Sequence, residues 1–256
     1  MFTLTETIFK ANGKKGILKP DENGYFDVIL GALNAYNSVG EYYTLEGSVE
    51  LFKNSSVLMR RISKGALYSE LGHPTKEPWM SFDDFYLRIL KIDEKNVCGH
   101  ISEIRLDYDY VKNNPNITNK DMVIIMGKVK PTGPHSQVLY DSLINPKQNS
   151  AFSIRGITRN IRRNGRIERI LENIVTWDYV LEPGIDVACK AYFPSTESLN
   201  IYTKSDIVLD KEKIINMYRM SKDKISMESK EIILDIIKSI SKDDDDHTLR
   251  KILEKL

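Results

Sequence analysis

The stretch Ala151-Phe152-Ser153-Ile154-Arg155-Gly156 lies within a short apolar run, residues 150–157, which polar residues bound on both sides. A run of this length with such boundaries predicts a mostly buried β-strand. The strand places a hydroxyl, a guanidinium group and a flexible backbone N–H close together. Ser-x-Arg-Gly strings are nevertheless common, so this pattern alone favours an ordinary structural serine.

A second segment, Glu70-Leu71-Gly72-His73-Pro74, delivers a histidine just past an extended stretch at residues 65–71. The proline biases His73 towards extended geometry. A serine hydroxyl becomes an effective nucleophile when an imidazole within hydrogen-bond reach takes its proton and a third group orients that imidazole. Ser153 and His73 are therefore the minimum for nucleophilic acyl transfer.

Composition narrows the classes of function. The chain has 256 residues, which favours one domain or one domain with an appendage. Its 37 basic residues balance 36 acidic ones, so we expect no nucleic-acid or membrane partner. Two cysteines cannot form a disulfide framework, and the apolar runs fall short of a membrane span, so we expect a soluble intracellular protein. Metal-ligand spacings and dinucleotide or phosphate-loop fingerprints are absent from the sequence, so we expect no metal and no cofactor.

Periodicity gives the secondary structure. Strands are predicted at 25–33, 82–92, 97–106, 122–129, around Ser153 and at 171–179. The segments 82–92 and 97–106 are predicted to pair with each other. Helices are predicted within 45–62, at 135–144 and from 211 onward. The polar stretch 107–121 is predicted to be a surface insertion, and the basic segment 159–169 a solvated loop or hairpin.

These motifs together resemble those of the prohead (capsid maturation) serine proteases of tailed bacteriophages, relatives of the herpesvirus assemblins. That family carries Gly-Glu-Leu-x-His-Pro, which appears here at 69–74 with Ser69 in place of glycine. Its later Ser-x-Arg-Gly segment appears intact at 153–156. Segments 31–43 and 175–184 are similar to the family's Asn-rich turn and aspartate-bearing strand. The resemblance covers about residues 25 to 195, in the family's order.

The resemblance implies that Ser153 is the nucleophile and His73 the general base. It places a third member 25 to 30 residues after the serine, which favours Asp178, with Asp186 or a backbone carbonyl as alternatives.

Supporting or oxyanion-stabilising roles are expected for Arg155, Gly156 and, near the histidine, Glu70. The family's arginine-containing loop beside the oxyanion hole suggests Arg162 or Arg163 for the same purpose.

The implied fold is α+β, a mostly antiparallel, barrel-like, assemblin-like sheet flanked by helices. We expect a protease domain at 1–205 and a C-terminal helical arm at 206–256. The implied function is a serine endopeptidase that cuts phage scaffold or core proteins and the major capsid precursor, after glutamate, inside the prohead in the host cytoplasm. Self-cleavage after Glu197 or Glu228 would release the arm. Because herpesvirus relatives dimerise, the question whether this chain forms a homo-oligomer stays open.

Two alternatives to a protease remain at this point. One is a non-catalytic phage head or scaffold protein with a degenerate protease fold, and the other is an unrelated α+β binding domain. Retention of both His73 and Ser153 argues against the degenerate fold, because loss of one would disable the site.

Overall fold

A computed structural model describes residues 2–6, 18–37, 40–53, 56–115, 117–163, 165–181, 207–220 and 227–243. The strands are β1 (Phe2–Glu6), β2 (Phe26–Leu33), β3 (Ala35–Tyr36), β4 (Tyr42–Tyr43), β5 (Tyr68–Glu70), β6 (Val97–Asp107), β7 (Val123–Pro131), β8 (Ala151–Arg163), β9 (Arg166–Val180) and β10 (Ile207–Leu209). The α-helices are α1 (Val57–Ser63), α2 (Phe82–Leu90), α3 (Ser136–Ile144), α4 (Lys211–Met220) and α5 (Met227–Asp243). Single 3₁₀ turns cover Val49–Phe52 and Glu94–Asn96.

The strands form two sheets. One has the order β10-β1-β8-β9-β4-β3 and is antiparallel except where β4 runs parallel to β9. The other has the order β2-β7-β6-β5 and is antiparallel throughout. An isolated parallel bridge between Leu71 and Tyr179 joins the two sheets beyond the end of β5. The α+β class is therefore confirmed, whereas the likeness to an assemblin barrel stays a prediction.

Strands β8 and β9 separate two apolar cores, because alternate residues of a strand point to opposite faces. Phe152 and Trp177 face a core shared with the four-stranded sheet. Ile157 and Val175 face a second core, which helices α2, α4 and α5 cover. Ser153 lies beside Phe152 in the chain and thus faces the side of the helices. The predicted burial of this strand is confirmed.

The prediction of a strand at 82–92 is wrong, because this segment is helix α2. The Ser81 side chain caps its N-terminus by accepting a hydrogen bond from Asp84 N at 3.1 Å. Asp83 and Asp84 add negative charge to the first turn, which stabilises the positive end of the helix dipole. Five of its residues are buried and belong to the second core: Phe85, Tyr86, Leu87, Ile89 and Leu90. Strand β6 pairs instead with β5 and β7.

The C-terminal helices pack on the rest of the chain. Their buried apolar residues share one core with Phe85 and Tyr86 of α2: Ile214, Ile215, Met217, Ile232, Ile233, Ile236 and Ile237. Strand β10, just before α4, pairs with β1. The boundary predicted at 205/206 lies outside the described residues.

Other predicted elements are confirmed within a few residues, among them β2, β7, α3 and the hairpin that contains the basic segment. The insertion at 107–121 consists of turns, but Val111 and Ile117 within it are buried, so it is more than a surface loop. Among the described helices, none is long and apolar enough to cross a membrane.

Candidate active site

The register of the β8–β9 hairpin brings two of the predicted residues together. Ser153 lies directly opposite Asp178 in this antiparallel pair. Directly opposed residues have their side chains on the same face, with Cβ atoms about 4.5–5.5 Å apart. Both are buried, with Ser153 1% exposed and Asp178 0%. The 25-residue spacing between them therefore reflects the length of the hairpin.

His73 reaches this pair from the other sheet. After β5 the chain continues beside β9, where Gly72 N donates to Tyr179 O at 2.7 Å. Gly72 has φ +74°, a left-handed conformation that costs a residue with a side chain roughly 1–2 kcal/mol. This turn directs the next residue, His73, towards Asp178. Ser69, which replaces the family's glycine, lies within β5 and has no positive φ, so the substitution leaves this turn unaffected.

The imidazole of His73 is bound to the carboxylate of Asp178, with Nδ1 and Oδ2 2.9 Å apart. The His73 side chain is only 6% exposed. Its Nε2 is buried and forms no hydrogen bond with any residue in the described ranges. A carboxylate on Nδ1 favours the tautomer that leaves Nε2 with a lone pair, which can accept a proton. Asp178, rather than a backbone carbonyl, therefore orients the histidine in this structure.

Arg155 contacts both oxygens of the same carboxylate. Its Nε lies 2.9 Å from Asp178 Oδ2, and its Nη2 donates to Oδ1 at 3.1 Å. Nη1 donates to the carbonyls of Ile89 and Lys91 at 3.3 and 3.2 Å, at the end of α2. The side chain is fully buried. The guanidinium group thus serves Asp178 and the backbone of α2, and the geometry favours a supporting role.

Glu70 extends the network to α2. Its Oε1 accepts from Arg155 Nη2 at 2.8 Å and from Arg88 Nη1 at 3.1 Å, and Oε2 is bound to Arg88 Nη2. The backbone N–H of Asp93 and the amide of Asn96 also donate to the carboxylate, at 2.9 and 3.3 Å. The Glu70 N–H in turn donates to Asp178 Oδ1 at 3.3 Å. Glu70 therefore orders the surroundings of the histidine without contacting it.

Opposing effects act on the pKa of Glu70. Burial acts to raise it, because desolvation disfavours the charged form, but the hydrogen bonds and charges of Arg88 and Arg155 outweigh burial and lower the pKa below its ordinary value. Glu70 is consequently ionised at neutral pH. Burial and nearby negative charge raise the pKa of the Cys98 thiol, which lies against Ser69, to about 12, so this cysteine stays uncharged.

Gly156 has a steric role. It lies at an irregularity in the pairing of β8 with β9, and a Cβ there would lie 2.3 Å from Asn173 O. Both Arg155 and Gly156 pair with β1 on one side and β9 on the other. Their backbone groups therefore belong to the interior of the sheet.

The expectation that Arg162 or Arg163 supports the oxyanion is wrong. Both lie at the far end of the β8–β9 hairpin, where Arg162 pairs with Ile167 and Arg163 with Arg166. Nine residues of extended strand separate Arg162 from Ser153, a distance of roughly 30 Å. Arg163 instead binds Glu46, with Nη1 and Oε2 2.7 Å apart.

Arg88 is the member of this network that sequence reasoning missed. The signal for it was present, because Ser81, the two aspartates after it and the helical spacing of Phe85 and Ile89 together predict a helix. On that helix Arg88 falls in the last turn. Asp186 and Glu197 lie outside the described residues, and Glu228 is the second residue of α5. Among the described residues, no group of three or more potential metal ligands is found.

Comparison with known proteins gives three findings. The sequence model of the Peptidase S80 family matches residues 4–240, a range that includes α4 and most of α5. The capsid maturation protease of Pseudomonas phage phiKZ is 35% identical over 221 residues, covering 84% of this chain and 77% of that protein. The solved structure of the bacteriophage T4 capsid assembly protease is similar to 73% of this chain and 96% of that one, with 14% identity and a TM-score of 0.37.

Proposed function

Since the chain belongs to the Peptidase S80 family, we propose that it is a serine endopeptidase with Ser153 as nucleophile, His73 as general base and Asp178 as the group that orients the histidine. The observation that carries the proposal is the position of Asp178, which faces Ser153 across the hairpin and binds His73 Nδ1 at 2.9 Å. These three residues come from two sheets and three separate parts of the sequence.

The mechanism follows from these positions. His73 Nε2 takes the proton of the Ser153 hydroxyl while Oγ attacks the carbonyl carbon of the substrate peptide bond. The imidazolium that forms is stabilised by Asp178, and it then gives its proton to the leaving amine. Water, deprotonated by the same histidine, hydrolyses the acyl-enzyme and restores the serine. Because hydrogen bonds between catalytic groups are often long before substrate binds, the absence of a bond at Nε2 is compatible with this role.

The substrates that we propose are phage scaffold or core proteins and the major capsid precursor, cut after glutamate inside the prohead. The support is the phiKZ relative, which is named a capsid maturation protease. A site in which Ser153 is 1% exposed requires neighbouring groups to move before a peptide bond reaches the hydroxyl. Such a closed site fits an enzyme that is inactive until it is packaged with its substrates.

Self-cleavage after Glu197 or Glu228 is part of the same proposal. Glu228 lies in the first turn of α5, which must unwind before a protease can bind it in extended form. Among the described side chains, the buried residues of α5 begin four residues later, at Ile232 after the partly buried Glu231. A chain cut after Glu197 keeps the β10–β1 pairing and the buried isoleucines of α4 and α5. We therefore expect the released segment to remain bound unless proheads or denaturants remove it.

The test is covalent labelling of the full chain by a serine-directed phosphonate, followed by mass spectrometry. We expect one label on Ser153, none in Ser153→Ala, and normal labelling in the matched control Ser150→Ala, whose side chain is equally buried near the start of the same strand. A peptide with a Ser-x-Glu sequence should be cut after glutamate by the wild type and by Ser150→Ala, but not by Ser153→Ala. Labelling elsewhere, or none in folded protein even when assayed with scaffold protein, would point to the non-catalytic alternative.

A further inference from the structure

We propose that Arg155, Glu70 and Arg88 are positioning residues that balance the charge of Asp178 and thereby keep His73 neutral and able to accept a proton. This inference rests on the proposed function, since it concerns the same site. It assigns Arg88 of α2, which lies outside the three reacting residues, a share in setting their protonation state.

Arg155 sets the orientation of the Asp178 carboxylate. Oδ1 accepts hydrogen bonds from Arg155 Nη2 and Glu70 N, while Oδ2 is bound to His73 Nδ1 and lies 2.9 Å from Arg155 Nε as an ion-pair contact. A charge-assisted hydrogen bond to one oxygen and an ion pair to the other hold the carboxylate against the guanidinium group. The direction from which Asp178 meets the imidazole is therefore set by Arg155.

The charges of the four residues in the network balance one another. Two carboxylates, Glu70 and Asp178, are joined to two guanidinium groups, Arg155 and Arg88, and the side chains of Glu70, Asp178 and Arg155 are fully buried. This set is neutral only while His73 is neutral. A buried unit charge without a counter-charge is costly, so the balanced network disfavours the imidazolium at rest.

Within the part of the chain that the structure describes, the neighbouring groups leave this count intact. Asp93 approaches Arg88 only to 4.0 Å, and its side chain is 43% exposed to screening by solvent. From β6, the Cys98 thiol is uncharged because its pKa is raised to about 12. From the end of α2, Ile89 and Lys91 contribute backbone carbonyls to Arg155.

Loss of either charge acts on the His73 imidazolium in a definite direction. Removing the charge of Arg88 leaves an excess negative charge, which stabilises the imidazolium. Removing the charge of Glu70 leaves an excess positive charge, which destabilises it. If solvent screened these charges from His73, as it does for ion pairs at a surface, neither substitution would shift the titration.

The experiment follows the titration of His73 by NMR in the full chain labelled at histidine. Its signal among the four histidines is identified by its loss in His73→Gln. We expect Arg88→Gln to raise the midpoint by about one pH unit and Glu70→Gln to lower it by a similar amount. The double variant Glu70→Gln/Arg88→Gln, which is again neutral, should return it to the wild-type value. The matched control is Arg159→Gln, since Arg159 lies on β8 and pairs with Glu172 at 2.6 Å.

The same variants are then compared in the rate of phosphonate labelling of Ser153 as a function of pH. Because labelling requires neutral His73, the labelling rate should fall off on the acid side at a higher pH in Arg88→Gln than in the wild type. In Glu70→Gln it should fall off at a lower pH. Shifts of one sign in both variants, or none in folded protein, overturn the inference. If Glu70→Gln does not fold, the test compares Arg88→Gln with the charge-conserving variant Arg88→Lys. Only Arg88→Gln should then shift the midpoint of the NMR titration. Because the NMR titration needs no activity, a wild type that resists labelling even with scaffold protein present would reject the proposed function and leave this test intact.

Discussion

The two ends of the β8–β9 hairpin use arginine in opposite ways. At the open end of the hairpin, where β8 begins and β9 ends, Arg155 is fully buried between Asp178 and Glu70. At the other end, Arg163 is 49% exposed and pairs with Glu46, which is 72% exposed. Charge pairs in water contribute little, because solvent screens them, whereas a buried pair that loses one partner leaves a desolvated charge. The hairpin thus carries a buried charge network at the proposed active site and, at its other end, an exposed ion pair that solvent can replace.

The largest difference in stability is expected between Arg155→Met and Arg163→Met. The first leaves Glu70 and Asp178 buried without their shared counter-ion, so the free energy of unfolding should fall by about 3–5 kcal/mol. The second should leave it close to the wild-type value. Urea unfolding of both variants measures the contrast. Equal effects would show that the buried network does not contribute differently from the exposed one.

A glycine at each end gives the next contrast. An alanine at 156 would place its Cβ 2.3 Å from the backbone oxygen of Asn173, so Gly156→Ala should cost about 3 kcal/mol. Gly165 has φ +78° and no atom within 4 Å of an added Cβ, so Gly165→Ala should cost only about 1 kcal/mol of backbone strain. Unfolding free energies test the ranking, and labelling of Ser153 should be impaired by the first variant alone. A larger cost at 165 would contradict the packing around Asn173.

Acid should destabilise the buried end of the hairpin more than the exposed end. The pKa of Glu70 in the folded chain lies below its ordinary value of 4.5, so its ionisation adds stability above that pH, and this contribution is lost as the pH falls through the folded pKa. Urea unfolding between pH 7 and pH 3 should show a steeper loss in the wild type than in Glu70→Gln. Glu46→Gln, at the exposed end, should change the slope less. Parallel curves for the wild type and Glu70→Gln would refute this.

High salt should have the smallest effect on stability, and it should weaken the ion pair at only one end of the hairpin. At about 1 M NaCl the screening length is about 3 Å, so the coupling between Arg163 and Glu46 in a double-mutant cycle should disappear. The coupling between Arg155 and Asp178 should persist, because solvent does not reach it. Equal salt sensitivity of the two couplings would argue that the interior network is open to solvent.

Sequence reasoning named the three residues of the proposed catalytic group through the family resemblance, and local pattern gave the positions of two of them. A bounded apolar run gave the strand of Ser153, and an extended stretch ending before Pro74 gave the position of His73. The spacing to Asp178, taken from the resemblance, coincides with a hairpin whose register places it opposite the serine. Predictions that rest on local sequence stay correct even when the structure of a neighbouring segment is predicted wrongly.

The parts that the sequence did not give depend on contacts between distant segments. Misassigning 82–92 as a strand hid Arg88, because 18 residues separate it from Glu70 and only a helix returns it there. Arg162 was placed by its distance from Ser153 along the chain, but an antiparallel strand carries each further residue away from the serine. The packing of α4 and α5 on α2 was likewise missed, since an amphipathic helix does not specify the surface that covers it.

The pairing of β10 with β1 joins residues 207–209 to residues 2–4. A chain leaving the ribosome can therefore complete the sheet that holds Ser153 only after residue 209 has emerged, and His73 waits 105 residues for Asp178. Contacts so far apart in sequence form late in folding. Synthesis of the chain thus delays the contact between His73 and Asp178 until 105 further residues have been made.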